Sequence, residues 1–418
     1  MSTLKTTIRK WVRKHERLRS TLRRLYRAGQ YYAAWALGKL RQDKFQVLCV
    51  NPDDVTHTVS RDDDTLKGNA VWHFGSVSTG DWDLNGIPLH EHGDVYTILN
   101  QRLNQGIAFA DIPEFIMHVK ELERGAIVDS CTTRHEYVKR WHRIENLYHA
   151  IRDGGYKTQE ELGAGNPLDE IRIQIGRKGT LLFEEGLHRL AIAQLLHLER
   201  VPVIVTRRHA EWAKLRSDVI KIVVQRGFIH QTFNHPDLDG IPKLYGNKLH
   251  DKSMYGDDRW DFIIDSLPVA TGSVLDIGSY FGYFAHRFEA LGFKCYAVEP
   301  DQENLAVLNR YRHMKDKKFH VWEKSLFDIE HFEFDVILAL NIFHHLVKTR
   351  HEYEQLVEFL GKIRCQAMYF EPQQVLKHTC KSFTDKEFIN FVIDNSVLNH
   401  SRRLGRAKEK RDVYLLTV

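Results

Sequence analysis

Five residues in one short tract carry the most specific chemistry of the chain. In SVLDIGSYFGYFAHRFEALGFKCYAVEPD, Ser273 to Asp301, Asp276 is followed by Gly278, Tyr280 and Gly282, and Glu299 stands 17 residues beyond the last glycine. Glycines so placed let a backbone turn tightly and approach a ligand. An acid closing the next apolar run is placed to accept hydrogen bonds from ribose hydroxyls. Two further apolar runs end in polar groups: Phe334 to Asn341, with His344 and His345 just beyond, and Met368 to Glu371. His344, His345 and Glu371 are of the types that take a proton from an acceptor, and each is equally a residue that packs or caps an element.

A second constellation lies about a hundred residues upstream. LLFEEGLHRLAIAQLL, Leu181 to Leu196, sets Glu184 and Glu185 before Gly186, His188 and Arg189, and Arg207 follows in VPVIVTRRH. A glycine turn that opens a helix next to an arginine is suited to an anion, because the free N–H groups of a helix start and a guanidinium both favour negative charge. The structural alternative is a scaffold in which Glu185 and Arg189 pair and cap the helix. His90-Glu91-His92 sits in an irregular segment and reads as surface residues, so no metal site is expected.

The elements that must hold these groups follow from the patterning. Val274 to Ile277 reads as a buried strand, with a helix after the glycines and a strand before Glu299. Upstream, helices are expected over Tyr96 to Asn104, Ile112 to Glu123 and Thr133 to Arg152. Strands are expected over Ile171 to Ile175, Thr180 to Phe183 and Val201 to Thr206, and a long helix from Ala210 to Gln225. The loop-rich stretch 230–257 suggests a linker. Ile8, Trp11, Leu18, Leu22 and Leu25 recur at helical spacing among basic residues.

The downstream tract resembles the class I S-adenosylmethionine-dependent methyltransferases. Asp276-x-Gly278-x-Tyr280-x-Gly282 has the strand aspartate of that family, with tyrosine in place of its middle glycine, whereas a dinucleotide dehydrogenase has Gly-x-Gly-x-x-Gly. The resemblance implies an α/β Rossmann-like domain over 258–418, a seven-stranded sheet whose last strand, Asp412 to Val418, is antiparallel. It also implies S-adenosyl-L-methionine as cofactor. Asp276, Gly278, Tyr280 and Gly282 would then line its methionine end, Glu299 hold the ribose, Ser325 lie toward the adenine and Asn341 sit beside the sulfonium.

The upstream stretch resembles the ParB/sulfiredoxin-like fold, an α+β domain expected within 46–229, in which the Gly-x-His-Arg turn holds phosphate. That implies binding of a nucleotide such as ATP with Mg2+, with Gly186, His188, Arg189 and Arg207 as the phosphate grip. In a phosphotransfer reading, Glu184 or Glu185 activates an acceptor hydroxyl or holds the metal. Sulfiredoxin itself is disfavoured, because Leu187 occupies the position of its cysteine.

Composition bounds the partners. The 418 residues suggest two or three domains. Residues 1–45 form the expected basic amphipathic helix, residues 1–44 carrying a net charge of +11 within a total of +5, so the remainder is acidic. The helix suits an anionic membrane surface or an oligomer contact, and nucleic acid is the weaker partner. Five scattered cysteines fit a reducing cytoplasm. The expected function is methyl transfer to a small-molecule, glycan or lipid-linked acceptor, with an upstream domain that phosphorylates it first. The rival is a nucleotide-switched, DNA-associated ParB-like protein with an accessory methyltransferase domain.

Overall fold

The computed structural model describes residues 47–59, 75–91, 93–163, 169–227, 229–230, 233, 235–241, 257–373, 381–407 and 411–418. The basic helix expected over 1–45 and most of the stretch 230–257 lie outside these residues. The chain divides into two compact units between Ala213 and Lys214, inside one helix and upstream of the expected linker.

The first unit is α+β. Its strands are β1 (Val47–Val50), β2 (His57–Thr58), β3 (Ser76–Ser78), β4 (Ile87–Pro88), β5 (Ile171–Ile175), β6 (Leu181–Glu185) and β7 (Val201–His209). They form a mixed sheet in the order β1-β7-β5-β6-β2-β4, with β3 alongside β7. All nine residues of β7 are buried, which makes it the hub. Helices α1 (Val95–Leu99), α2 (Pro113–Glu123), α3 (Arg134–Gly154) and α4 (Leu187–Leu195) enclose an aromatic core around Phe115, Tyr137 and Trp141. Helix α3 begins where Thr133 caps it and stops at Gly155, whose φ of 75° other residues adopt at a cost. Two strands outrun their expected ends. β6 continues through Glu185, because Glu184 finds partners on neighbouring strands, and β7 continues through His209, because β3 pairs in parallel with Arg207 to His209.

Helix α5 (Ala210–Arg226) leads into the second unit, where a single turn, α6 (Pro236–Asp239), and α7 (Asp257–Asp265) precede the sheet. Strands β8 (Ser273–Ile277), β9 (Lys294–Val298), β10 (His320–Trp322), β11 (Val336–Leu340), β12 (Ala367–Glu371), β13 (His400–Arg406) and β14 (Asp412–Thr417) lie in the order β10-β9-β8-β11-β12-β14-β13. The first five in that order are parallel, and β14 runs antiparallel to both β12 and β13. This is the expected Rossmann-like arrangement with an antiparallel last strand.

Helices α8 (Tyr283–Ala290), α9 (Gln302–Met314), α10 (Arg350–Lys362) and α11 (Asp385–Asp394) accompany the sheet. Its near-continuous apolar strands supply two clusters, one around Leu275, Ile337 and Phe370, the other around Val274, Phe288 and Leu338. Such two-sided burial is what a parallel sheet requires. Strand order reverses between β8 and β11, and ligands of open α/β sheets bind outside the carboxyl ends of the strands at that reversal.

Candidate functional site

The reversal point carries a cavity of about 480 Å3 whose lining includes Asp276, Gly278, Ser279, Tyr280, Glu299, Asn341 and His345. Asp276 projects from the end of β8 and is 4% exposed. The chain then turns through Gly278 at φ 68° and Tyr280 at φ 54°. A Cβ on Gly278 would meet Ile342 Cδ1 at 2.7 Å, so both the backbone angle and the space call for glycine here. Gly282, at φ 81°, opens α8 and lies against Leu308 and Phe319 rather than in the cavity wall. Its contribution is the close approach of helix and neighbours. The Tyr280 ring stacks on Phe281 at 4.0 Å and meets His230 edge-on at 5.6 Å.

Four N–H groups of the turn are engaged internally. Gly278 N and Ser279 N donate to Val298 O at 2.9 and 3.0 Å, Gly282 N donates to Ser279 O at 2.8 Å, and Tyr280 N donates to Glu299 Oε2 at 2.9 Å. A dinucleotide site needs such groups for a pyrophosphate. Here three of them are tied to β9 and to the acid beyond it, and the fourth is tied within the turn.

Glu299 is held from several directions. Its Oε1 accepts from Asp301 N at 3.0 Å and from Asn304 Nδ2 at 3.3 Å. Asp301 in turn caps α9, its Oδ1 accepting from Glu303 N and Asn304 N at 3.0 Å each. A carboxylate offers about four lone-pair positions, which leaves room for a ribose hydroxyl.

Among the described residues, three oxygens in the same wall are buried without a hydrogen-bond partner: Asp276 Oδ2, Ser279 Oγ and Asn341 Oδ1. Asn341, at the end of β11, also has a positive φ of 56°. Burial, then the charge of Glu299, push the Asp276 carboxyl up to about 7, and burial first raises Glu299 as well. The wall therefore suits a ligand that brings N–H and O–H donors.

That shift fixes a pH dependence. Because the folded protein keeps on Asp276 a proton that the unfolded chain releases near pH 4, the ligand-free protein loses stability as pH rises from about 4 through about 7. Thermal unfolding from pH 4.5 to 8 checks this: the shape-conserving Asp276→Asn removes much of the decline, and an unchanged decline would contradict the assignment.

The other expected residues fall at different distances from this wall. His345 lines the cavity, and its Nδ1 lies 3.0 Å from Lys348 Nζ. The His344 ring lies tilted against that of His345, centroids 3.9 Å apart, and burial, with the neighbouring His345 and Arg411, pushes it down to about 3, so it is uncharged at neutral pH. A base that weak removes only an acidic proton. Glu371 is corrected as an acceptor-side base: its buried carboxylate is clasped by Arg259, Nε to Oε2 at 2.5 Å and Nη2 to Oε1 at 2.9 Å, with Arg411 at 3.5 Å. The Ser325 hydroxyl accepts from Phe327 N at 3.3 Å and caps a short turn, outside the residues that line this cavity. Arg226 and Arg259 do line the cavity, and the sequence reading passed over both.

The upstream turn has the expected backbone, since Gly186 at φ 100° opens α4. Its side chains are engaged elsewhere. Arg189 donates to Asp169 O and lies 3.8 Å from the Asp169 carboxylate and 4.0 Å from that of Glu170. Glu185 pairs with Arg172 at 2.5 Å and not with Arg189, the partner the scaffold alternative gave it. Glu184 accepts from Gln174 at 3.0 Å and from Thr206, and Arg207 donates to Gln174 at 3.0 Å while stacking over Trp82 at 3.7 Å. His188 meets Trp141 edge-on at 5.8 Å and lies 3.8 Å from Asp129, and burial pushes it down to about 4. A phosphate on Arg189 would have to displace two carboxylates. Among the described residues no group of side chains is placed to hold a metal ion, and no helix is long and apolar enough to cross a membrane.

No protein-family model matches the chain, and no curated protein matches it. The solved structures similar to it include the bifunctional kinase-methyltransferase WbdD, at 21% identity over 48% of this chain and 46% of that one, with a TM-score of 0.36. They also include a ribosomal protein L11 methylase from Lactobacillus delbrueckii subsp. bulgaricus, at 15% identity over 38% of this chain and 75% of that one, TM-score 0.28. A third is a putative RNA methyltransferase from Pyrococcus horikoshii, at 19% identity over 39% and 87%, TM-score 0.29. The match to WbdD spans less than half of that protein's length.

Proposed function

We propose that the second unit transfers a methyl group from S-adenosylmethionine to a small-molecule, glycan or lipid-linked acceptor. The observation that carries this reading is the set of donorless buried oxygens on Asp276, Ser279 and Asn341, placed at the sheet reversal together with the Glu299 carboxylate. Asp276 and Asn341 would accept from the ammonium of the methionine end, and Glu299 from the ribose. The carboxylates also offset the charge of a sulfonium, the centre whose methyl group is electrophilic.

The remaining work of the site is alignment, since in-line displacement depends mainly on holding two atoms close and oriented. Asn341 and His345, both in the cavity lining, would face the acceptor. The neutral imidazoles add no positive charge there. Arg189 and Glu185 in the first unit are occupied by acidic and basic neighbours of their own, so no phosphotransfer step is assigned to them.

Calorimetric titration with S-adenosylmethionine, S-adenosylhomocysteine, NAD+ and ATP tests the reading. The expected result is saturable binding of both adenosyl sulfur compounds at one site, with NAD+ failing to displace them. Binding of NAD+ alone would overturn it.

A further inference from the structure

We propose that Arg226, in the last turn of α5, is a positioning residue that fixes the Glu299 carboxylate for the cofactor ribose, acting through Asn304 and Asp301. The inference rests on the reading that Glu299 takes that ribose.

The geometry is a closed relay. Arg226 Nη2 donates to both oxygens of Asp301, at 2.9 and 3.0 Å, and to Glu303 Oε2 at 3.0 Å. Arg226 Nη1 donates to Asn304 Oδ1 at 3.0 Å, and Asn304 Nδ2 donates to Glu299 Oε1 at 3.3 Å. An amide's oxygen and nitrogen are interchangeable in shape, so a partner must decide which faces the carboxylate. Arg226, a donor only, occupies the oxygen and thereby turns the nitrogen toward Glu299.

Arg226 also answers a problem of charge. Glu299, Asp301 and Glu303 place three carboxylates within five residues, and like charges so close disfavour ionisation of the most buried one. One guanidinium touching two of them offsets that repulsion without contacting Glu299 itself. Docking of α5 has a separate contribution from Asp218, which pairs with Arg310 of α9 at 3.1 Å, so the clamp is distinguishable from simple helix packing.

The test is equilibrium binding of S-adenosylhomocysteine to the full chain across pH 5 to 8. R226A is expected to bind about ten- to a hundredfold more weakly, the loss of charge-assisted hydrogen bonds that orient the site. R226K is expected to recover part of the affinity, and D218A to stay within about twofold of the parent. The acid-side fall in affinity should also begin at higher pH in R226A, because Glu299 then ionises less readily, a change that a purely structural role would not produce. If R226A fails to fold, R226Q, which keeps a donor without the charge, carries the same expectation. Parental affinity and pH profile in R226A or R226Q, or an equal loss in D218A, would overturn the inference. Absence of binding by the parent protein would overturn the functional reading and this inference with it.

Discussion

Replacing Glu299 with alanine lowers affinity for S-adenosylhomocysteine about a hundredfold, because the ribose hydroxyls lose an ionised acceptor and charge-assisted hydrogen bonds are worth about 1.5–3 kcal/mol each. The substitution also strips Tyr280 N and Asp301 N of their shared acceptor, so the glycine turn and the start of α9 lose a common anchor. Glu299→Gln separates the two effects. It keeps the size of the side chain while presenting an N–H2 to one of those donors, so it is expected to fall between the parent and the alanine variant. Binding by titration, with thermal unfolding alongside, checks both. Parental affinity in both variants would remove Glu299 from the site.

The second large effect is on stability. Arg259 and Glu371 form a bidentate pair in which the two side chains are 4% and 0% exposed. Arg259→Ala leaves the Glu371 carboxylate in the interior with the more distant Arg411, at 3.5 Å, and without its bidentate partner, and loss of one partner of a buried pair costs about 3–5 kcal/mol. For a unit of this size that corresponds to a fall of roughly 10 °C in the midpoint of thermal unfolding. Replacing both residues together, Arg259→Met with Glu371→Leu, is expected to recover most of the loss, since the cost lies in a buried charge stripped of its bidentate partner and not in the absent bridge. A midpoint within 2 °C of the parent for the single variant would contradict the account.

The contrast between these two residues shows what the sequence makes legible. Asp276, the glycine turn and Glu299 are consecutive parts of one strand-turn-helix-strand unit, so their spacing along the chain is their spacing in the fold. The sheet follows from the same logic, because parallel strands buried on both faces are apolar throughout. Arg259 meets Glu371 across 112 residues, and Arg226 meets Asp301 across 75. No local periodicity marks an arginine as the partner of a distant acid, and Glu371, read by its place at a strand end, looked like a base while its charge was already engaged.

Strand β13, HSRRLGR, was hidden for another reason. An edge strand needs no apolar alternation and is often charged, and here Asp412 pairs with Arg403 and Arg406 at 2.9 and 2.8 Å. The upstream Gly186–Arg189 turn was legible as backbone, while the partners of its side chains were not. A glycine before a helix announces itself, whereas Asp169, Glu170 and Arg172, which neutralise Arg189 and Glu185, lie on another strand or its approach.

The most direct measurement is a crystal structure of the protein with S-adenosylhomocysteine. The expected complex has a ribose hydroxyl on Glu299, the amino group between Asp276 Oδ2 and Asn341 Oδ1, and the sulfur facing the side of His345. A ligand bound away from the Asp276 and Glu299 carboxylates, or a diphosphate-bearing nucleotide seated on the Gly278 turn in its place, would contradict it.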